Sequence, residues 1–126
     1  MAGEQILVVE DNEKNMKLVR DVLVATGYRT LEAATGDQAV ELAAEHSPDL
    51  VLMDIQLPDL DGVQALHRLR ADARTATIPV LALTAQAMRG DRERFLAEGF
   101  DGYVSKPVDV RELIEIVRQH CEGRPG

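Results

Sequence analysis

The sequence predicts an α/β domain built on a parallel sheet, and three observations predict it. Strand-like and helix-like stretches alternate from one end to the other, the order that lays helices over a parallel sheet. Three of the strand-like stretches, Ile6-Leu-Val-Val9, Leu50-Val-Leu-Met53 and Val80-Leu-Ala-Leu83, are unbroken aliphatic runs, as expected where both sheet faces are covered. These runs, and the shorter Tyr103-Val104, lead into Glu10-Asp11, Asp54, Thr84 and, through Ser105, Lys106-Pro107. Open α/β sheets bind ligands at the carboxyl ends of their strands, so three carboxylates, a hydroxyl and an ammonium should meet in one crevice.

Taken in order, the first strand is expected over 5–10. A helix over about 13–26 follows, presenting Met16, Val19, Val22 and Leu23 and ending before Gly27. The segment 28–33, Tyr-Arg-Thr-Leu-Glu-Ala, alternates in polarity and suits a sheet edge. Thr35-Gly-Asp-Gln38 has the spacing of a capping box and opens the next helix. After a strand at 49–54, Asp61 is placed to cap a helix carrying Val63, Leu66 and Leu69. A strand at 79–84 precedes a helix at 86–97, which is the exception. Between Met88 and Phe95 it reads Arg-Gly-Asp-Arg-Glu-Arg, and a mid-helix glycine costs ~1 kcal/mol relative to alanine. Few apolar contacts would hold it, and weakly held elements are those free to move; a marginal surface helix and a switching element both fit. The strand at 102–105 leads to Asp109-Val-Arg-Glu112, again with capping-box spacing. Val110, Leu113, Ile114 and Val117 then form one apolar stripe on a helix over 109–122.

At 126 residues the chain is expected to be one domain, 1–126, with no effector domain after the last helix. No apolar run approaches the ~18 residues of a membrane span, and the first residues lack a secretory signal. A single cysteine, Cys121, fits a reducing cytoplasm and reads as packing. The net charge of −8 argues against direct nucleic-acid binding, which draws on a basic footprint. Arg89, Arg92 and Arg94 are interleaved with Asp91 and Glu93 and read as a solvated helix face. His46, His67 and His120 are scattered over helices with no partner motif and read as surface residues.

The strand-end residues define a chemistry. Two unit charges 4 Å apart repel by ~4 kcal/mol at an effective dielectric of ~20. Glu10, Asp11 and Asp54 crowded together would therefore cost on the order of 10 kcal/mol if all were ionised, comparable to the whole stability of a domain. Either a proton is retained or a cation sits among them. Lys106 supplies one positive charge, and oxygen-only donors with no histidine or thiolate point to Mg²⁺ for the rest. A carboxylate attacking phosphorus meets repulsion from the phosphate oxygens, which a metal and an ammonium would relieve. Thr84 is able to donate a hydrogen bond to a phosphoryl oxygen, and small Ala85 leaves room for that group. The Lys106-Pro107 bond can be cis or trans; a cis bond would turn the chain sharply beside the ammonium.

With these residues the chain resembles the receiver domain of bacterial two-component response regulators. The resemblance covers about residues 4–121 and rests on Leu7-Val-Val-Glu-Asp-Asn12, Leu50-Val-Leu-Met-Asp-Ile-Gln-Leu-Pro58 with Asp61-Gly62, Leu83-Thr-Ala85 and Tyr103-Val-Ser-Lys-Pro107. Glu10-Asp-Asn-Glu-Lys-Asn-Met-Lys17 and Ala87-Met-Arg-Gly90 look most like stand-alone regulators of the DivK type, although receivers fused to hybrid kinases share them. The resemblance implies a flavodoxin-like (βα)5 three-layer sandwich with strand order 2-1-3-4-5. It implies that Asp54 accepts a phosphoryl group from a histidine kinase or histidine phosphotransfer protein. Mg²⁺ would be bound by Asp11, Asp54 and the backbone carbonyl of Gln56 directly, and by Glu10 through water. Thr84 and Lys106 would hold the phosphoryl group, and Thr84 and Tyr103 would move inward together. That movement would reshape the surface of helix 86–97 and the last strand and helix.

Glu10 stands where aspartate is commoner in the family. Gln56 and Gln86 match two variable positions that, in the family the chain resembles, tune loss of the phosphoryl group. The expected role is that of a cytoplasmic, phosphorylation-switched binding module and not an enzyme on other substrates. Two alternatives within phosphoryl chemistry are a haloacid-dehalogenase-like aspartyl-phosphate phosphatase and a receiver fragment of a larger hybrid kinase or regulator. The phosphatase would carry a second acid two residues after its nucleophile, where this chain has Gln56. A flavodoxin-like cofactor binder would need FMN-cradling loops, and none is visible.

Overall fold

The structure, a computed structural model, describes residues 3–85 and 91–122, with the side chains of 91, 92 and 122 excepted. Five strands, β1 (Gln5–Val9), β2 (Arg29–Ala33), β3 (Leu50–Asp54), β4 (Val80–Thr84) and β5 (Gly102–Ser105), form one parallel sheet in the order 2-1-3-4-5. They alternate with α1 (Glu13–Thr26), α2 (Gly36–His46), α3 (Gly62–Ala71), α4 (Asp91–Glu98) and α5 (Val110–Glu122). This is the flavodoxin-like arrangement. The aliphatic runs lie at the centre: β3 and β4 are buried along their whole length, whereas β2 is an edge strand with an exposed pattern.

Alternation along the strands divides the core in two. Ile6, Val8, Leu50, Leu52, Leu81 and Leu83 face Met16, Val19 and Leu23 of α1 and Leu113 and Val117 of α5. Leu7, Val9, Val51, Met53, Val80 and Ala82 face Ala39 and Ala43 of α2, Leu66 and Leu69 of α3, and Phe95 of α4. Helices on both faces explain why the central strands read as continuous apolar runs. Cys121 is buried in the first of these layers, as packing predicts.

The helix starts follow the capping residues. Thr35 Oγ1 accepts from Gln38 N at 3.1 Å, and Asp109 Oδ1 from Glu112 N at 3.1 Å. Asp61 and Gln64 form a reciprocal capping box at the start of α3. Residues 86–90 of the helix expected over 86–97, with Gln86, Ala87-Met-Arg-Gly90 and Arg89, lie outside the described residues, as does the side chain of Arg92. Over 91–98 the helix is present, and Phe95 is the buried residue among its described side chains. Phe95 packs edge-on against Phe100, with ring centroids 6.0 Å apart.

Candidate functional site

The sheet register brings the expected residues together. Val9 pairs with Met53, so the next residues, Glu10 and Asp54, stand side by side at the ends of β1 and β3. Thr84 ends β4 and pairs with Ser105 of β5, and Lys106 N donates to Thr84 O at 2.8 Å. From there the Lys106 side chain reaches back across the sheet. Its Nζ lies 2.7 Å from Glu10 Oε2 and 2.9 Å from Asp54 Oδ2. Asp11, exposed, completes the cluster: carboxylate oxygens of Glu10, Asp11 and Asp54 all lie within 4.8 Å of one another. The Lys106–Pro107 bond is cis.

Asp54 is held on both oxygens. Oδ1 accepts from Gln56 N at 2.9 Å, and Oδ2 faces the Lys106 ammonium. With Asp54 4% exposed, the plane of its carboxylate is fixed by these two contacts. Gly62 lets the neighbouring helix approach: a Cβ there would lie 2.6 Å from the Asp54 carbonyl oxygen. Thr84 is buried, and Tyr103, half-buried on β5, has its ring centroid 6.3 Å from that of Phe95. The two residues expected to move together thus lie on adjacent strands, with Tyr103 touching the anchor of α4.

The electrostatics follow from the crowding. Burial is the largest influence on Glu10 and, with Asp54 beside it, raises its pKa above the ordinary carboxylate value despite the opposing ammonium. Burial alone would lower the pKa of Lys106, but Glu10 and Asp54 outweigh it and hold the ammonium above its usual value. The carboxylate pair is thus partly relieved by one lysine and partly by a tendency of Glu10 to keep a proton.

A cation is the other relief, and the donor set fits one. Glu10 Oε1 accepts from Asn12 N at 3.1 Å. Glu10 Oε2 is buried without a hydrogen bond among the described residues, its contact with Lys106 being an ion pair off hydrogen-bonding geometry. Carboxylate oxygens gathered within 4.8 Å of one another, with no histidine or thiolate among them, are the hard oxygen donors that would suit Mg²⁺.

Two contributors were not singled out from the sequence. Asn12 donates its backbone N–H to Glu10 and caps α1, its Oδ1 accepting from Lys14 N at 3.0 Å and Asn15 N at 3.1 Å. An asparagine directly before a helix is a capping signal, so this one was legible. Asp59, in the loop after Asp54, accepts hydrogen bonds from the backbone of Gly36 and Asp37. No local pattern announces a partner so distant in sequence.

Fold and site together define a phosphoacceptor signalling domain. The chain belongs to the response regulator receiver domain family, whose pattern it matches over residues 6–118. Among curated relatives it is similar to the polar-differentiation response regulator DivK of Brucella abortus (strain 2308) and of Brucella anthropi. Each is 46% identical over 117 residues, 93% of this chain and 95% of the relative. Among solved structures it is similar to the receiver domain of a sensor histidine kinase from Pseudomonas aeruginosa PAO1, described with a magnesium ion coordinated in the active site cleft. That likeness has a TM-score of 0.88 at 40% identity and covers 96% of this chain and 99% of the other. The chemotaxis response regulator CheY4 of Vibrio cholerae, at 23% identity and a TM-score of 0.88, covering 94% of this chain and 99% of its own, shares the fold. The chain is therefore a DivK-like receiver, and the dehalogenase-type reading finds no support. No described helix is long and apolar enough to cross a membrane.

Proposed function

We propose that Asp54 is the phosphoacceptor of a single receiver domain, residues 1–126, acting in a cytoplasmic phosphorelay. The observation that carries this reading is the ammonium of Lys106 held 2.9 Å from a buried Asp54 at the centre of an acid cluster. A carboxylate oxygen of Asp54 forms an O–P bond while the P–N bond of a donor phosphohistidine breaks. The electron pair of that bond stays on the imidazole nitrogen. Lys106 meets the incoming negative charge and, with Thr84, holds the transferred group; Asn12 and Gln56 orient Glu10 and Asp54 through their backbone amides. Asp11, Asp54 and the Gln56 carbonyl would hold Mg²⁺ directly and Glu10 through water, and the ion supplies charge neutralisation during transfer. Attack by water on the same phosphorus returns Asp54 and inorganic phosphate, so the domain assists its own phosphorylation and dephosphorylation only.

Inward movement of Thr84 and Tyr103 would pull on Phe95 and alter the α4–β5–α5 face. The phosphodonor, a histidine kinase or histidine phosphotransfer protein, would dock beside the crevice. A groove of about 570 Å³ between α1 and α5, lined by Leu18, Val22, Ala25, Val110 and Ile114, suits an apolar helix face. Leu18 and Val110 are 39% and 44% exposed there.

Incubation with acetyl phosphate and Mg²⁺, followed by intact-protein mass spectrometry, tests the assignment. The wild type gains one phosphoryl mass and Asp54→Asn gains none while remaining folded. Labelling of Asp54→Asn to the wild-type level would overturn it.

A further inference from the structure

We propose that Asp59 is a positioning residue for the acid crevice: it fastens the loop after Asp54 to the N-terminus of α2 and thereby sets how well the crevice holds Mg²⁺. The inference rests on the assignment of Asp54 and Gln56 above. The loop of residues 55–61 leaves β3 immediately after Asp54 and carries Gln56, whose amide holds Asp54 Oδ1 at 2.9 Å. Ile55 and Leu57 pack against the core from this loop, whereas Gln56, Pro58 and Asp59 are exposed, so burial does not hold the Gln56 and Asp59 side chains. Backbone bonds hold its two ends, Ile55 N to Leu83 O at 3.1 Å and Gly62 N to Ile55 O at 2.8 Å. Between them Leu57 packs on the core, and the polar tether is Asp59, which accepts from Gly36 N at 2.8 Å on Oδ1 and from Asp37 N at 3.0 Å on Oδ2.

These two amides open α2 and have no partner within the helix. The local cap, Thr35, takes the next one, Gln38 N. Capping of α2 is thus divided between a neighbour in sequence and a carboxylate more than twenty residues away. The α2 amides, Gly36 N–H first, hold the Asp59 carboxyl below the ordinary carboxylate range. Leu60 lies over Gly36, where an added Cβ would come within 2.9 Å of Leu60 Cβ. From α3, Arg68 reaches Asp37 Oδ1 at 2.6 Å and ties the same turn. α2 itself is seated on the sheet by the buried Ala39 and Ala43, so it is a firm base. Releasing Asp59 frees the segment carrying Gln56 while leaving every acid of the crevice in place.

Isothermal titration of the full chain with MgCl₂ tests the proposal. Asp59→Ala is expected to weaken binding by about threefold or more, short of the ~10-fold or greater loss seen when a group bonded directly to a metal ligand is removed. Asp59→Asn, which keeps one accepting oxygen, falls between Asp59→Ala and the wild type, and Gly36 amide exchange accelerates in Asp59→Ala. Should Asp59→Ala not fold, Gly36→Ala displaces Leu60 from the other side and predicts the same weakening. Mg²⁺ affinity within about twofold of wild type in the folded variant overturns the proposal, whatever its melting temperature, because Asp59 would then be a helix cap alone. Failure of the wild type to bind Mg²⁺ would instead overturn the function proposed above.

Discussion

The ammonium of Lys106 touches Glu10 and Asp54 at 2.7 and 2.9 Å, so its removal leaves two buried carboxylates facing each other. Breaking a buried ion pair from one side costs several kcal/mol. With Lys106 17% exposed, Lys106→Met is expected to lose about 2 kcal/mol at neutral pH without metal. The pH dependence has a definite sign. Glu10 titrates above its unfolded value of 4.5, so the folded protein binds that proton more tightly than the unfolded chain, and stability falls as pH rises through the raised value. The deficit of Lys106→Met should therefore shrink in acid, where Glu10 is neutral and there is less charge to miss its partner. On the alkaline side, Lys106 titrates above 10.5, so its contribution is complete below that pH and is lost as pH rises through the raised value. Urea unfolding without metal between about pH 4 and 9 measures the deficit. A deficit that stays constant or grows in acid would show that the three groups are not coupled.

At the scale of elements, the crevice depends on how closely α3 approaches the end of β3. Gly62 makes that approach possible, its absent side chain leaving the Asp54 carbonyl room that a Cβ at 2.6 Å would take. Gly62→Ala is expected to cost about 1–3 kcal/mol, the usual range for overpacking, and to slow labelling by acetyl phosphate because Asp54 is displaced. Denaturant melts and labelling rates check both effects; normal stability with normal labelling would mean the helix shifts freely. α4 is the contrasting element. Its described part rests on Phe95, with Leu96 43% exposed, and the run of charges in the sequence signalled this weak attachment. The strands were legible for a simple reason: residues such as Leu50–Met53 are buried on both faces, so their composition alone gives them away. The alternating polarity of 28–33 identified β2 as an edge strand for the converse reason.

For the whole molecule, two apolar layers on either side of the sheet supply the stability that the acid cluster opposes. A ligand bound only by the folded state stabilises it by mass action, so Mg²⁺ in excess should raise the melting temperature of the wild type and chelation should reverse the rise. Asp11→Asn removes one charge from a cluster 4.8 Å across. Without metal it should melt about 3–6 °C higher, corresponding to ~1 kcal/mol of relieved repulsion, and should gain much less from Mg²⁺ than the wild type does. Calorimetry of both proteins with and without the ion decides; equal responses to Mg²⁺ would remove Asp11 from the metal site.

By itself the amino-acid order determined the alternation of strands and helices, the burial of the central strands, and the placing of Glu10, Asp11, Asp54, Thr84 and Lys106 at strand ends. Those features are local: periodicity, aliphatic runs and capping residues act within a few positions of one another. The tertiary structure decided that Lys106 lies between Glu10 and Asp54, that the Lys106–Pro107 bond is cis, and that Asp59 caps a helix it does not belong to. The side-chain contacts among these join residues 22 to 96 positions apart. Sheet register and the packing of helices on both faces bring such residues together, and neither is encoded in any short stretch of chain.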